Sequence, residues 1–165
     1  MSDPLESYPA PMAPTHTFFD HTGDYGVDLR GESYEEVLDA LARAFVDLLT
    51  GAPETVVEAE SRPLEVRGLD EEDLLVALGN ELLFRFEMGF LVARLEVLAV
   101  LQEDGAESEP GDGPAGELTL EAEAWGEAFD PERHPIARPM KAVTHHQASV
   151  VEDATGARAR LVFDL

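Results

Sequence analysis

Only two stretches of this chain repeat apolar residues at helical spacing, and most other apolar stretches read as short strands. In the first, Val37, Leu38, Leu41, Phe45, Leu48 and Leu49 recur on one helical face. Ser33 and Glu36 have the spacing of a capping box, and Gly51-Ala52-Pro53 stops the run. The second predicted helix begins near Asp70, where acids at 71–73 favour the amino end of its dipole. Leu74, Leu75, Leu78, Leu82 and Leu83 form its buried stripe. Strands are predicted at Thr15–Phe19, Gly26–Arg30, Thr55–Ala59, Leu64–Arg67, Phe90–Leu101, Glu117–Trp125, Lys141–Val151 and Ala157–Asp164. Two helices cannot cover the crossovers that so many parallel strands would need. The expected fold class is therefore α+β, a mainly antiparallel sheet with two amphipathic helices. Leu161, Val162 and Phe163 are too apolar for a frayed tail, so the carboxyl-terminal strand is expected inside the sheet.

Two irregular stretches frame the domain. Residues 1–14 carry four prolines and no periodic pattern, which reads as a loose leader. Residues 103–116, EDGAESEPGDGPAG, hold Gly, Pro and acids with nothing apolar larger than Ala, which reads as an acidic loop. The segments on either side of that loop are too short for separate cores, so 15–165 is expected to be one domain. The amino terminus lacks the basic start and apolar run of a signal peptide, and no apolar run is long enough to span a bilayer. With no cysteine, the chain has neither disulfides nor thiolate metal sites, and the expected location is cytoplasmic.

Charge narrows the partners. Thirty-five acids oppose eleven Lys and Arg, for a formal net charge of -24, and Lys141 is the sole lysine. Such a surface repels phosphate backbones, so no direct nucleic-acid binding is expected. Acidity of this kind keeps a protein soluble, and it also suits a cytoplasm rich in salt, where screening relieves self-repulsion. No phosphate-binding loop, nucleophile elbow or paired-histidine zinc helix is present.

Three places concentrate polar chemistry. Between two predicted strands, Phe18 to Gly26 reads FFDHTGDYG, a tight connection in which Asp20, His21 and Asp24 sit beside a sheet edge. Asp24 is the candidate ligand for a hard cation, since Ca²⁺ and Mg²⁺ take carboxylate oxygens. An Asx-turn closed by Asp20 or Asp24 is the plainer alternative. At the other end, Asp164 and the terminal carboxylate of Leu165 form a second possible ligand set. If the last strand ends beside the 20–26 segment, three carboxylates would crowd together and call for a cation or a proton. The third place is Lys141-Ala142-Val143-Thr144-His145-His146-Gln147. Strand alternation puts Lys141, Val143 and His145 on one face there, and neighbouring histidines point apart, which disfavours a zinc site.

Taken in order, these segments resemble the archease family. The likeness runs through Asp20-His21-Thr22-Gly23-Asp24, Gly31 and Ser33, then Asp73-Leu74-Leu75 and Asn80-Glu81-Leu82-Leu83-Phe84. It continues through Gly126-Glu127, His134-Pro135 and Lys141-Ala142-Val143-Thr144, and ends at Asp164-Leu165. The family usually has Ala at the position of Gly23, and often Ile at those of Tyr25 and Leu165; neither change removes a ligand oxygen.

The resemblance implies a small acidic cytosolic protein that is not itself an enzyme. Its implied role is cofactor of the RtcB-type tRNA-splicing RNA ligase, promoting guanylylation of the ligase histidine and multiple turnover. It also implies a bound divalent metal, most often Ca²⁺ with Mg²⁺ or Mn²⁺ as alternatives, held by Asp24, Asp164 and Leu165. Asp20, His21, Lys141 and Thr144 become the supporting positions. Two other roles stay open: a chaperone or modulator of tRNA-modifying enzymes, and a metal-dependent phosphoester hydrolase. No membrane partner is implied.

Overall fold

The computed structural model describes residues 14–21, 23–103 and 117–165, without the His21 side chain. The leader expected at 1–14 and the loop expected at 103–116 therefore lie almost wholly outside the described residues. At the base of that loop the Glu103 N–H donates to the Glu117 carbonyl (2.9 Å).

Among the described residues seven strands and two α-helices follow one another as β1 (Thr15–His21), β2 (Asp24–Gly31), α1 (Tyr34–Thr50), β3 (Glu60–Gly68), α2 (Glu71–Glu87), β4 (Phe90–Gln102), β5 (Leu118–Ala128), β6 (Ala142–Asp153) and β7 (Gly156–Asp164). The strands form two antiparallel sheets, one ordered β1-β2-β7-β6 and the other β3-β5-β4. The fold is α+β, with β7 in the interior of the first sheet. Among the described residues no helix is long and apolar enough to cross a membrane.

Both helices start and stop where local chemistry dictates. Ser33 caps α1, its hydroxyl accepting from the Glu36 N–H, and Gly51 ends it in the left-handed region at φ 66°. Asp70 caps α2 by accepting from the Asp73 N–H. Each helix packs against both sheets. This explains why α1 is buried nearly all round: besides its leucine stripe it buries Ala40, Ala42 and Ala44, small enough to admit a second sheet. The amphipathic reading of α1 captured one of its two buried faces.

Two expectations fail. Thr55–Ala59 is not a strand: Pro53–Thr55 makes one turn of 3-10 helix, and the next strand begins only at Glu60. The Val57 N–H that a ladder would use is taken by the Glu127 carboxylate. The alternation across Lys141–Val151 also breaks. β6 keeps register with β7 to Thr144↔Val162 and resumes at Ser149↔Arg160, so five positions are spent against two. Gln147 absorbs the excess at φ 59°. Beyond the break, odd-numbered residues take the face that even-numbered ones held before it.

Candidate functional site

Four strands meet at one rim of the first sheet. β1 returns into β2 through position 22, which is outside the described residues, and Gly23, whose φ of 85° suits a residue without Cβ. His21 pairs with Asp24 and Asp20 with Tyr25, so the polar stretch that reads as a loop is strand almost throughout. On the other side of β2 the ladder runs from Gly31↔Ala157 to Tyr25↔Phe163. The ladder ends at Tyr25↔Phe163, so Asp24 and Asp164 are the next residues of the two strands, and Asp164 pairs with Ala142 of β6.

Opposed residues of an antiparallel pair project from one face, with Cβ atoms about 4.5–5.5 Å apart. Strand alternation therefore puts Asp24 and Asp164 on the face turned away from the helices, which Asp28 and Arg160 also occupy further along (2.8 Å). Among the described residues neither carboxylate enters an ion pair. Two adjacent anions without a counter-charge repel, and a hard cation would relieve them. Among the described residues no group of three His, Asp or Glu side chains could hold a metal ion. The donor set is thus two carboxylates, to be completed by backbone, water or terminal oxygens. It fits Ca²⁺ or Mg²⁺ and lacks the nitrogen or sulfur donors that zinc favours.

The remaining positions divide. Thr144 lies two residues along β6 from Ala142, on the same face as Asp164, and its buried hydroxyl has no hydrogen-bond partner among the described residues. Lys141 is exposed, and its N–H donates to the Asp164 carbonyl (2.8 Å), which fixes its Cα beside the acid. Asp20, opposite Tyr25, projects from the other face and does not join the pair. Backbone pairing sets His21 opposite Asp24; its side chain lies outside the described residues. Leu165 packs half-buried against the core directly after Asp164. His145 leaves the site for Asp73 of α2 (2.8 Å).

The edge of β6 is held from α2 by Asn80. Its side-chain amide donates to the Val143 carbonyl (3.0 Å), and its oxygen accepts from the Val143 N–H (3.0 Å). Gly79 beside it allows the close approach, since a Cβ there would sit 2.8 Å from a Val143 methyl. Asn80 so replaces the neighbouring strand that an edge residue lacks.

The model of the Archease protein family (MTH1598/TM1083) matches residues 16–165. The chain belongs to the archease family. It is 34% identical over 149 residues to the archease of Pyrococcus abyssi, covering 89% of this chain and 96% of that one. It is 30% identical over 151 residues to the archease of Methanosarcina mazei, covering 91% and 95%. Among solved structures it is similar to a Methanobacterium thermoautotrophicum protein, with TM-score 0.69 and 28% identity over 91% of this chain and 98% of that one. It shares its fold with a Thermotoga maritima protein described as an archease and possible chaperone, with TM-score 0.51 and 20% identity over 89% and 94%.

One archease-like motif gains a structure that residue reading did not foresee. Glu127, at the end of β5, and His134 are both buried. The His134 Nδ1 accepts from the Asp130 N–H (2.9 Å), which leaves its Nε2–H to donate to Glu127 (3.3 Å). Burial pushes the Glu127 carboxyl up, but the Val57 N–H, Arg133 and His134 outweigh it and hold the group below the usual carboxylate range. The signal available beforehand was Asp130-Pro131, a turn that folds position 134 back toward position 127.

Proposed function

We propose that this archease-family protein is the non-catalytic cofactor of an RtcB-type RNA ligase, acting through the rim where β2 and β7 end. The observation that supports the reading is that β2 and β7, paired as far as Tyr25↔Phe163, end together at Asp24 and Asp164. A divalent cation held there by the two carboxylates, with the Leu165 carboxylate as third donor, would supply positive charge for developing phosphoryl oxygens. The chain's own residues do the rest. Asp24 and Asp164 present an acidic point that enters a nucleotide or metal site, Lys141 offers the adjacent cation for a phosphate, and Thr144 offers a hydroxyl. The ligase histidine, not a residue of this chain, is the nucleophile.

The test is RNA ligation with RNA in excess over ligase. Asp24→Ala and Asp164→Ala should abolish the gain in turnover while melting like the parent in chelator, and added Ca²⁺ should raise the melting temperature of the parent only. Full stimulation by both variants would end the reading. Turnover of phosphoesters by the isolated protein would point to the hydrolase instead. Suppression of client aggregation that survives both substitutions would point to the chaperone role suggested by the description of the Thermotoga maritima structure.

A further inference from the structure

We infer that an apolar strip at the carboxyl end of α2 is a second docking surface at the same end of the molecule, seating a basic segment of the ligase that presents one large apolar side chain; this rests on the ligase reading above. Phe84 and Met88 are 54% and 70% exposed, one turn apart on the outer face of the helix. Leu82 and Leu83 turn inward to the core, whereas neither Phe84 nor Met88 is buried in it. Phenylalanine is also a mediocre helix former, so local stability does not account for it on an exposed face. Single exposed apolar residues are ordinary, but these two wall a depression of about 170 Å³ shared with Arg62, Glu81, Arg85 and Phe90. Small-molecule sites run to roughly 300–1,000 Å³, so the space suits one anchoring side chain.

Charge selects the occupant. The cations beside the depression are already paired: Arg62 with Glu60 (2.8 Å), and Arg85 with Glu81 (3.1 Å) and the Pro63 carbonyl (3.0 Å). Glu87 is exposed and enters no ion pair among the described residues. On a chain of net charge -24, the complementary partner surrounds its apolar anchor with Lys or Arg.

Position joins the strip to the acidic rim. α2 runs antiparallel to β6, since Asp73 meets His145 and Asn80 meets Val143. Phe84 and Met88 lie about one and two helical turns past Asn80, roughly 5.4 Å each, toward the Lys141 end of β6. That is the end where Asp164 pairs with Ala142. The acidic pair is on the sheet face turned away from the helices, so the partner wraps this end of the molecule to reach both, the strip supplying affinity and the rim acting on the ligase site.

Binding to the ligase and maximal turnover separate the two. The double variant Phe84→Ser, Met88→Ser should raise the concentration for half-maximal stimulation at least about ten-fold, leaving the plateau and the melting temperature unchanged. Glu87→Lys, which removes no packing, should weaken binding several-fold at low salt and less at high salt. Asp24→Ala should bring the plateau down to the unstimulated rate, and its affinity for the ligase, measured directly by binding, should match that of the parent. Unchanged half-maximal concentrations for the double variant and for Glu87→Lys would overturn the strip while leaving the ligase reading intact. A parent protein that neither binds nor stimulates the ligase would remove the ligase reading and the assigned occupant together.

Discussion

Replacing Asn80 tests whether one side chain secures the strand beside the acidic rim. Asn80→Ala removes the donor to the Val143 carbonyl and the acceptor of its N–H, both 3.0 Å bonds. Val143 is 4% exposed, so its backbone groups are poorly compensated, although Asn80 itself faces solvent. At about 1–1.5 kcal/mol for each bond, the loss is about 2–3 kcal/mol. Alanine returns about 0.5 kcal/mol of helix propensity, leaving a net loss of about 1.5–2.5 kcal/mol. For a chain of this size that lowers the melting temperature by about 3–10 °C. Asn80→Asp is the sharper variant, because it keeps an acceptor for the N–H and sets a carboxylate against the Val143 carbonyl. It should melt at least as low as the alanine variant. Thermal denaturation followed by circular dichroism reads both, and amide exchange should lose protection first at Val143. An aspartate variant as stable as the parent, with Val143 still protected, would refute the clamp.

Glu127→Gln should destabilise by about 2–4 kcal/mol near neutral pH, because it takes the charge from a buried carboxylate that faces Arg133 and His134. The Glu127 carboxyl is held low in the fold, so its contribution is complete above the unfolded Glu pKa of about 4.3 and disappears as pH falls through the lower folded value. Melting curves of parent and variant should therefore run apart above about pH 5 and converge in acid; a gap that widens in acid would contradict the assignment. Gly79→Ala sets a helix gain of about 1 kcal/mol against overpacking of about 1–3 kcal/mol, since its Cβ would meet the Val143 methyls at 2.8 and 3.0 Å. It should destabilise the parent yet stabilise a Val143→Ala background, which a pair of melting curves checks.

What the sequence disclosed was what local chemistry decides. Ser33, Gly51 and Asp70 mark helix ends because a cap is satisfied within a few residues of itself. The strands were legible wherever alternation was unbroken. Thr55–Ala59 misled because its apolar and polar residues alternate, while Pro53 starts a turn and Glu127, far along the chain, takes the Val57 N–H. The break in β6 has no local mark apart from Gln147, a residue type that rarely adopts positive φ. For the candidate site, Asp24 and Asp164 could be named from their residue type and position, but their adjacency depends on the β2–β7 register. Nothing near Asn80 in sequence points to Val143, and nothing near Glu127 shows that it is buried.

The strand that is synthesised last of the seven lies between β2 and β6. A growing chain can close the first hairpin early, but the inner side of that hairpin has no neighbour until β7 arrives from more than a hundred residues downstream. Until then Val27 and Leu29 belong to an unfinished edge, open to whatever strand comes by. The insertion that repairs this edge is the same event that brings Asp164 to the rim where Asp24 begins β2. Chains interrupted before that moment lack the β2–β7 ladder, so Asp24 and Asp164 come to one rim only on molecules in which β7 has inserted.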